Sequence, residues 1–71
     1  TSEKDLANTL YYIGYCLFDC NYLRQAHDIF RRLADSENNK DYADLWAYLV
    51  RTDYELGLQD EFLADLKKAT E

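Results

Sequence analysis

Two thiols and one imidazole carry the most reactive chemistry in this 71-residue chain, and all three lie within twelve positions: Cys16, Cys20 and His27. A Cys/His set of this kind suits zinc, but a closed zinc site takes four ligands. Asn21 falls between the thiols and the histidine as a turn residue, so His27 is expected on a separate helix, on its exposed side. Cys16 and Cys20 are spaced four apart on one helix, which does not favour a mutual disulfide. They are expected as reduced, small packing side chains. A Cys/His nucleophile pair needs a cleft and an oxyanion hole, and nothing in the sequence supplies either. The acidic residues are dispersed along helix surfaces, where they solvate and cap. There is no glycine-rich phosphate loop. The sequence therefore predicts no catalytic residues, no metal, no cofactor and no enzyme activity.

What positions the remaining candidates is a helical hairpin written twice. Asn21 and Gly57 stand 36 residues apart, and each closes one apolar stretch and opens another. After Asn21 come Ala26, Phe30 and Leu33; after Gly57, at the same offsets, come Phe62, Leu66 and Ala69. Before them, Leu10, Ile13, Gly14 and Leu17 line up with Trp46, Leu49, Val50 and Asp53. A fixed period in the thirties marks stacked helical repeats, whose units bury their apolar faces on one another. The first helix is expected to start with Ser2 as N-cap and run to Asp19 or Cys20, with one stripe of Leu6, Leu10, Ile13, Gly14 and Leu17 and a second of Tyr11, Tyr15 and Phe18. Two stripes imply two neighbours. The second helix is read over 22–34, with Leu23, Ala26, Ile29, Phe30 and Leu33 inward and Arg24, His27, Asp28, Arg31 and Arg32 outside that stripe. A polar linker over 35–40 restarts the unit. The third helix is read over 42–56 and the fourth over 59–70, with Lys67 and Lys68 in the last turn where cations oppose the helix dipole.

Composition narrows the class further. Apolar residues make up 48% of the chain and aromatics 15%, so the chain folds rather than staying disordered. No proline and only two glycines occur, and strand signals are nearly absent, so the fold class is all-α. A net charge of −6 argues against nucleic acid, and the short helix pairs lack the basic recognition helix of a DNA reader. No apolar run is long enough for a membrane span, and the opening residues lack a signal-peptide pattern. The expected setting is cytoplasmic, without direct membrane insertion. Opening on Thr1 rather than methionine fits a piece of a longer chain.

Leu10, Ile13, Gly14 and Leu17, followed by Ala26, Phe30 and Leu33, resemble a tetratricopeptide repeat. The resemblance spans almost the whole chain, with repeat one over about 4–37 and repeat two over about 40–71 in a single helical domain. It implies two antiparallel helix hairpins stacked as repeats, with small residues at Gly14 and Ala26 letting paired helices approach closely. The second copy departs from the pattern: Val50 stands at the small position, Phe62 at the alanine position and Asp53 at an apolar one. Neither copy has the proline that often ends such a repeat; Asn38 takes its place in the first. A shorter stretch, residues 48–58 (YLVRTDYELGL) followed by 61–68, is similar to the second half of the small tetratricopeptide chaperones of bacterial type III secretion. That likeness implies a cytoplasmic chaperone holding an amphipathic helix of an exported subunit.

In such a repeat the first helix of each pair lines the concave face. The resemblance therefore places partner binding on Tyr11, Tyr15 and Phe18, continued by Tyr48, Arg51 and Tyr54, with Asn8, Asp44 and Glu55 nearby. Tyrosine joins apolar area to a hydroxyl and favours recognition surfaces, although the same rings can fill a small core. On the last helix Phe62, Leu63, Leu66 and Ala69 have no further helix to cover them, so a partner helix, a second copy or further residues of a longer chain are expected there. The expected function is a protein-interaction module or chaperone that binds an amphipathic helix. The alternative is a self-associating structural or assembly module, or part of a longer helical repeat protein.

Overall fold

The computed structural model describes residues 3–71; the expected Ser2 cap lies outside them. Four α-helices follow in order: α1 (Glu3–Asp19), α2 (Leu23–Ala34), α3 (Leu45–Leu56) and α4 (Gln59–Ala69), with a 3₁₀ segment (Glu37–Asp41) between the pairs. Helices α1 and α2 form one hairpin, α3 and α4 the second, and α2 packs on α3 to stack them. The fold is all-α.

The two hairpins turn by the same backbone device. Asn21 (φ 67°) and Gly57 (φ 74°) adopt the left-handed conformation, which glycine tolerates freely and asparagine better than most residues. The amide of Tyr22 donates to the Leu17 carbonyl at 2.8 Å, and that of Leu58 to the Asp53 carbonyl at 2.9 Å. Asn21 donates to Phe18 and Gly57 to Tyr54, at 3.0 and 3.3 Å. Both pairs form the double-bonded helix end that satisfies the last carbonyls and throws the chain into the next helix. Tyr22 and Leu58 then lead in with nearly equal angles (φ −86°, ψ 69° and φ −87°, ψ 76°).

Packing centres on Phe30, which is fully buried with Ala26, Leu33, Leu45 and Leu49 and joined by Ala7 and Ala34. Tyr11, Leu17, Phe18, Tyr42, Trp46 and Tyr48 pack around this core. Gly14 sets the spacing of α1 and α2: a Cβ added there would lie 2.8 Å from Phe30 Cε1 and 2.9 Å from Cζ. The small residue expected at this position is therefore required by the packing.

Several expectations are corrected. Helix α3 starts at Leu45, not at residue 42. Local side chains hold the preceding stretch in a tighter conformation, with the Asn39 amide donating to the Ala34 carbonyl at 2.7 Å and the Ser36 hydroxyl to the Leu33 carbonyl at 2.7 Å. Such bonds compete with helix formation. On α1 the inward residues are Ala7 and Gly14, while Leu6 and Ile13 are exposed, because the helix turns its Tyr11 and Phe18 side toward the other helices. Cys16 and Cys20 are free, as expected, but exposed rather than packed. His27 is buried, at 4% exposure, not on the outer face of α2.

Candidate functional site

Tyr48 on α3 gathers the aromatic residues of α1. Its ring centroid lies 6.4 Å from Tyr11, 6.1 Å from Tyr15 and 5.1 Å from Phe18, each approached edge-on. On its other side it stacks on Phe30 at 5.0 Å with a 4° interplanar angle. Tyr11 also stacks on Tyr42 at 4.7 Å, and the Tyr42 hydroxyl donates to the Asn8 side chain. Ring pairs of this kind prefer offset and edge-to-face geometry and add packing energy beyond area alone. Tyr11, Phe18 and Tyr48 are half-buried and form the wall between surface and core, whereas Tyr15 is exposed. Burial pushes the Tyr11 and Tyr48 phenols above their ordinary pKa, so both stay neutral as donors across the physiological range.

Arg51 and Tyr54 continue this line along α3. Arg51 is exposed and pairs with Glu55 at 3.3 Å. Tyr54 is 67% exposed and has its ring 6.1 Å from Phe62 of α4. Together with Asp53, Gly57, Leu58 and Gln59 they line a cavity of about 320 Å³ at the α3–α4 turn. The structure thus brings Tyr11, Tyr15, Phe18 and Tyr48 into one cluster and places Tyr54 with Phe62 in a second. On α4, Leu63 is 59% exposed and Leu66 is also exposed, so the apolar face of the last helix is open. Tyr12 and Tyr22, which the repeat pattern did not single out, are exposed as well.

A polar cluster lies where α2, α3 and α4 meet. Arg31 holds Asp65 with two bonds, Nη1 to Oδ1 at 3.2 Å and Nη2 to Oδ2 at 2.5 Å, and Nη2 also reaches Glu61 at 3.0 Å. Next to this pair, His27 Nε2 stands 2.9 Å from Asp53 Oδ1 and 3.3 Å from Glu61 Oε1. Asp53 is fully buried, and burial pushes its carboxyl up to about 8, reinforced by Asp65 and Glu61 and opposed by Arg31. Burial works against the Arg31 charge, but Asp65, Glu61 and Asp53 outweigh it and raise the guanidinium. Among the described residues, the donor atoms of His27, Asp53 and Glu61 lie within 4.8 Å of one another, close enough to hold a metal ion.

This cluster is not legible in the helical pattern, because His27 and Arg31 fall outside the apolar stripe of α2 while Asp53, Glu61 and Asp65 lie on other helices. One signal was present: Asp53 occupies the position that Leu17 holds in the first copy. A carboxylate at an apolar repeat position needs a partner from elsewhere in the fold.

Among the described residues no helix is long and apolar enough to cross a membrane. No family model, curated protein or solved structure matches the chain.

Proposed function

We propose that the chain is a protein-interaction module that binds an amphipathic helix of a partner along the α1 and α3 aromatic surface. The observation that carries this reading is Tyr15 exposed beside the half-buried wall of Tyr11, Phe18 and Tyr48. Such a wall offers rigid apolar area with hydroxyls at its edge, the composition that dominates binding energy at protein interfaces. Arg51 and Tyr54 extend the surface toward Phe62 and the α3–α4 cavity. With a net charge of −6, the favoured partner helix is basic on its polar side. The likeness of residues 48–58 to type III secretion chaperones makes a helical subunit awaiting export, in the cytoplasm, the first cargo class to try. Anisotropy titration with labelled basic amphipathic helices tests the reading. Binding should be saturable and should weaken about tenfold in Tyr15→Ala, the loss of a moderate hot spot. Affinity unchanged by that substitution would remove the surface from the account.

A second reading is favoured by the open face of α4. Leu63 and Leu66 are 59% and 39% exposed, so covering both buries about one further leucine's worth of surface and recovers roughly 1.5 to 3 kcal/mol in all, a large share of the roughly 5 kcal/mol expected of a small domain. A second copy of the chain is one source of that cover. Light scattering across a concentration series separates this assembly role, which gives a dimer without peptide, from a monomeric adaptor.

A further inference from the structure

His27, Asp53 and Glu61 come from three different helices to one point, and their donor atoms all lie within 4.8 Å of one another. His27 and Asp53 are 4% and 0% exposed, yet neither ring nitrogen has a hydrogen bond of acceptable geometry, and the Asp53 oxygens have none when ionised, the Asp65 carboxylate being their partner only when Asp53 is protonated. The 2.9 Å approach of Nε2 and Oδ1 is close without being directed along the N–H. Burying four polar atoms in this state is costly unless something else engages them.

We propose that His27, Asp53 and Glu61 form a binding site for a divalent transition metal of the zinc class. In a tetrahedral site with metal–ligand bonds of about 2.0–2.1 Å, ligand atoms lie about 3.3 Å apart. The separations from Nε2, 2.9 and 3.3 Å, are of that size. One imidazole with two carboxylates suits zinc or cobalt better than magnesium or calcium, which take more oxygen ligands. Three protein ligands leave a fourth position for water, on the side of Glu61, whose side chain is 41% exposed. Charge favours a cation as well, because Glu61 and Asp65 share the single guanidinium of Arg31, and the buried Asp53 carboxyl would release its proton on binding a metal. Asp28 Oδ1 stands 3.6 Å from His27 Nδ1, where a small shift lets it take the second N–H and orient the ring. A metal here would pin α2, α3 and α4 together, and its binding energy would add to folding stability.

The test is calorimetric titration of the chelator-treated full chain with Zn²⁺, with thermal unfolding followed by circular dichroism and Co²⁺ as a spectroscopic probe. The expected result is one equivalent bound, a raised Tm that Mg²⁺ does not reproduce, and Co²⁺ d–d bands without thiolate charge transfer. Glu61→Gln, at a half-exposed position and with its helix content checked by circular dichroism, should weaken binding about tenfold or more. His27→Gln should do the same, while Cys16→Ser with Cys20→Ser should leave it unchanged. No heat and no Tm change with the wild-type chain would overturn the proposal. So would Zn²⁺ binding that survives Glu61→Gln or disappears in the double cysteine variant.

Discussion

Gly14→Ala sets two effects of known size against each other. In a helix interior alanine is favoured over glycine by about 1 kcal/mol. Against that gain, the new Cβ would meet three atoms of the Phe30 ring at 2.8, 2.9 and 3.1 Å. The ring has little room to withdraw, since it is fully buried, stacked on Tyr48 at 5.0 Å and flanked edge-on by Tyr11 at 6.3 Å. Overpacking a core in this way costs about 1 to 3 kcal/mol. The clash wins, leaving the variant about 1 kcal/mol less stable, which in a domain of this size lowers Tm by about 4–8 °C. Urea unfolding monitored by circular dichroism measures the change. The same substitution in a Phe30→Leu background should lose its penalty and recover part of the propensity gain, so the double-mutant cycle should show coupling. A Gly14→Ala chain more stable than wild type, or an effect equal in both backgrounds, would refute the claim that this contact sets the α1–α2 spacing.

Gly57→Ala tests backbone strain alone, because nothing lies within 4 Å of an added Cβ while φ is 74°; a loss of roughly 1 kcal/mol in the same unfolding assay is expected. Asp53→Asn, measured with chelator present, should stabilise the fold at pH 7 and have little effect near pH 4. The folded carboxyl is pushed up from 3.8 to about 8, so between those values the folded chain holds a proton that the unfolded chain has released. Wild-type stability therefore falls as pH rises through that window, at about 1.4 kcal/mol per unit, and the asparagine variant escapes up to about 4 kcal/mol of that loss by pH 7. A pH-independent difference between the two chains would show that the buried carboxylate is already compensated.

The turns were legible because their chemistry is local. Asn21 and Gly57 are residue types that accept a left-handed backbone, and both do so with matching bonds. Gly14 was legible for a related reason, as a small residue at a repeat position where two helices meet. The start of α3 was not, because residues 38–41 carry the polar types of a helix N-terminus while Asn39 spends its amide on the Ala34 carbonyl. His27 escaped because a lone polar residue beside an apolar stripe looks solvent-facing until Asp53 and Glu61 arrive from other helices. The spacing of Cys16 and Cys20 on one helix suits two small buried side chains, but it does not say which face of α1 is covered. The helix commits Tyr11 and Phe18 to the core and leaves Leu6, Ile13 and both thiols outside. Helical periodicity locates apolar stripes, but which stripe is covered depends on neighbours the local pattern does not contain.

The most direct test of the proposed helix-binding surface is amide chemical-shift mapping of the isotope-labelled chain during titration with a basic amphipathic helix. The account predicts saturable shifts concentrated around Tyr15, Tyr48, Arg51 and Tyr54, with little change at Leu6 and Ile13 on the other face of α1. Shifts confined to Leu63 and Leu66, or no saturable shift with any basic helix, would contradict it.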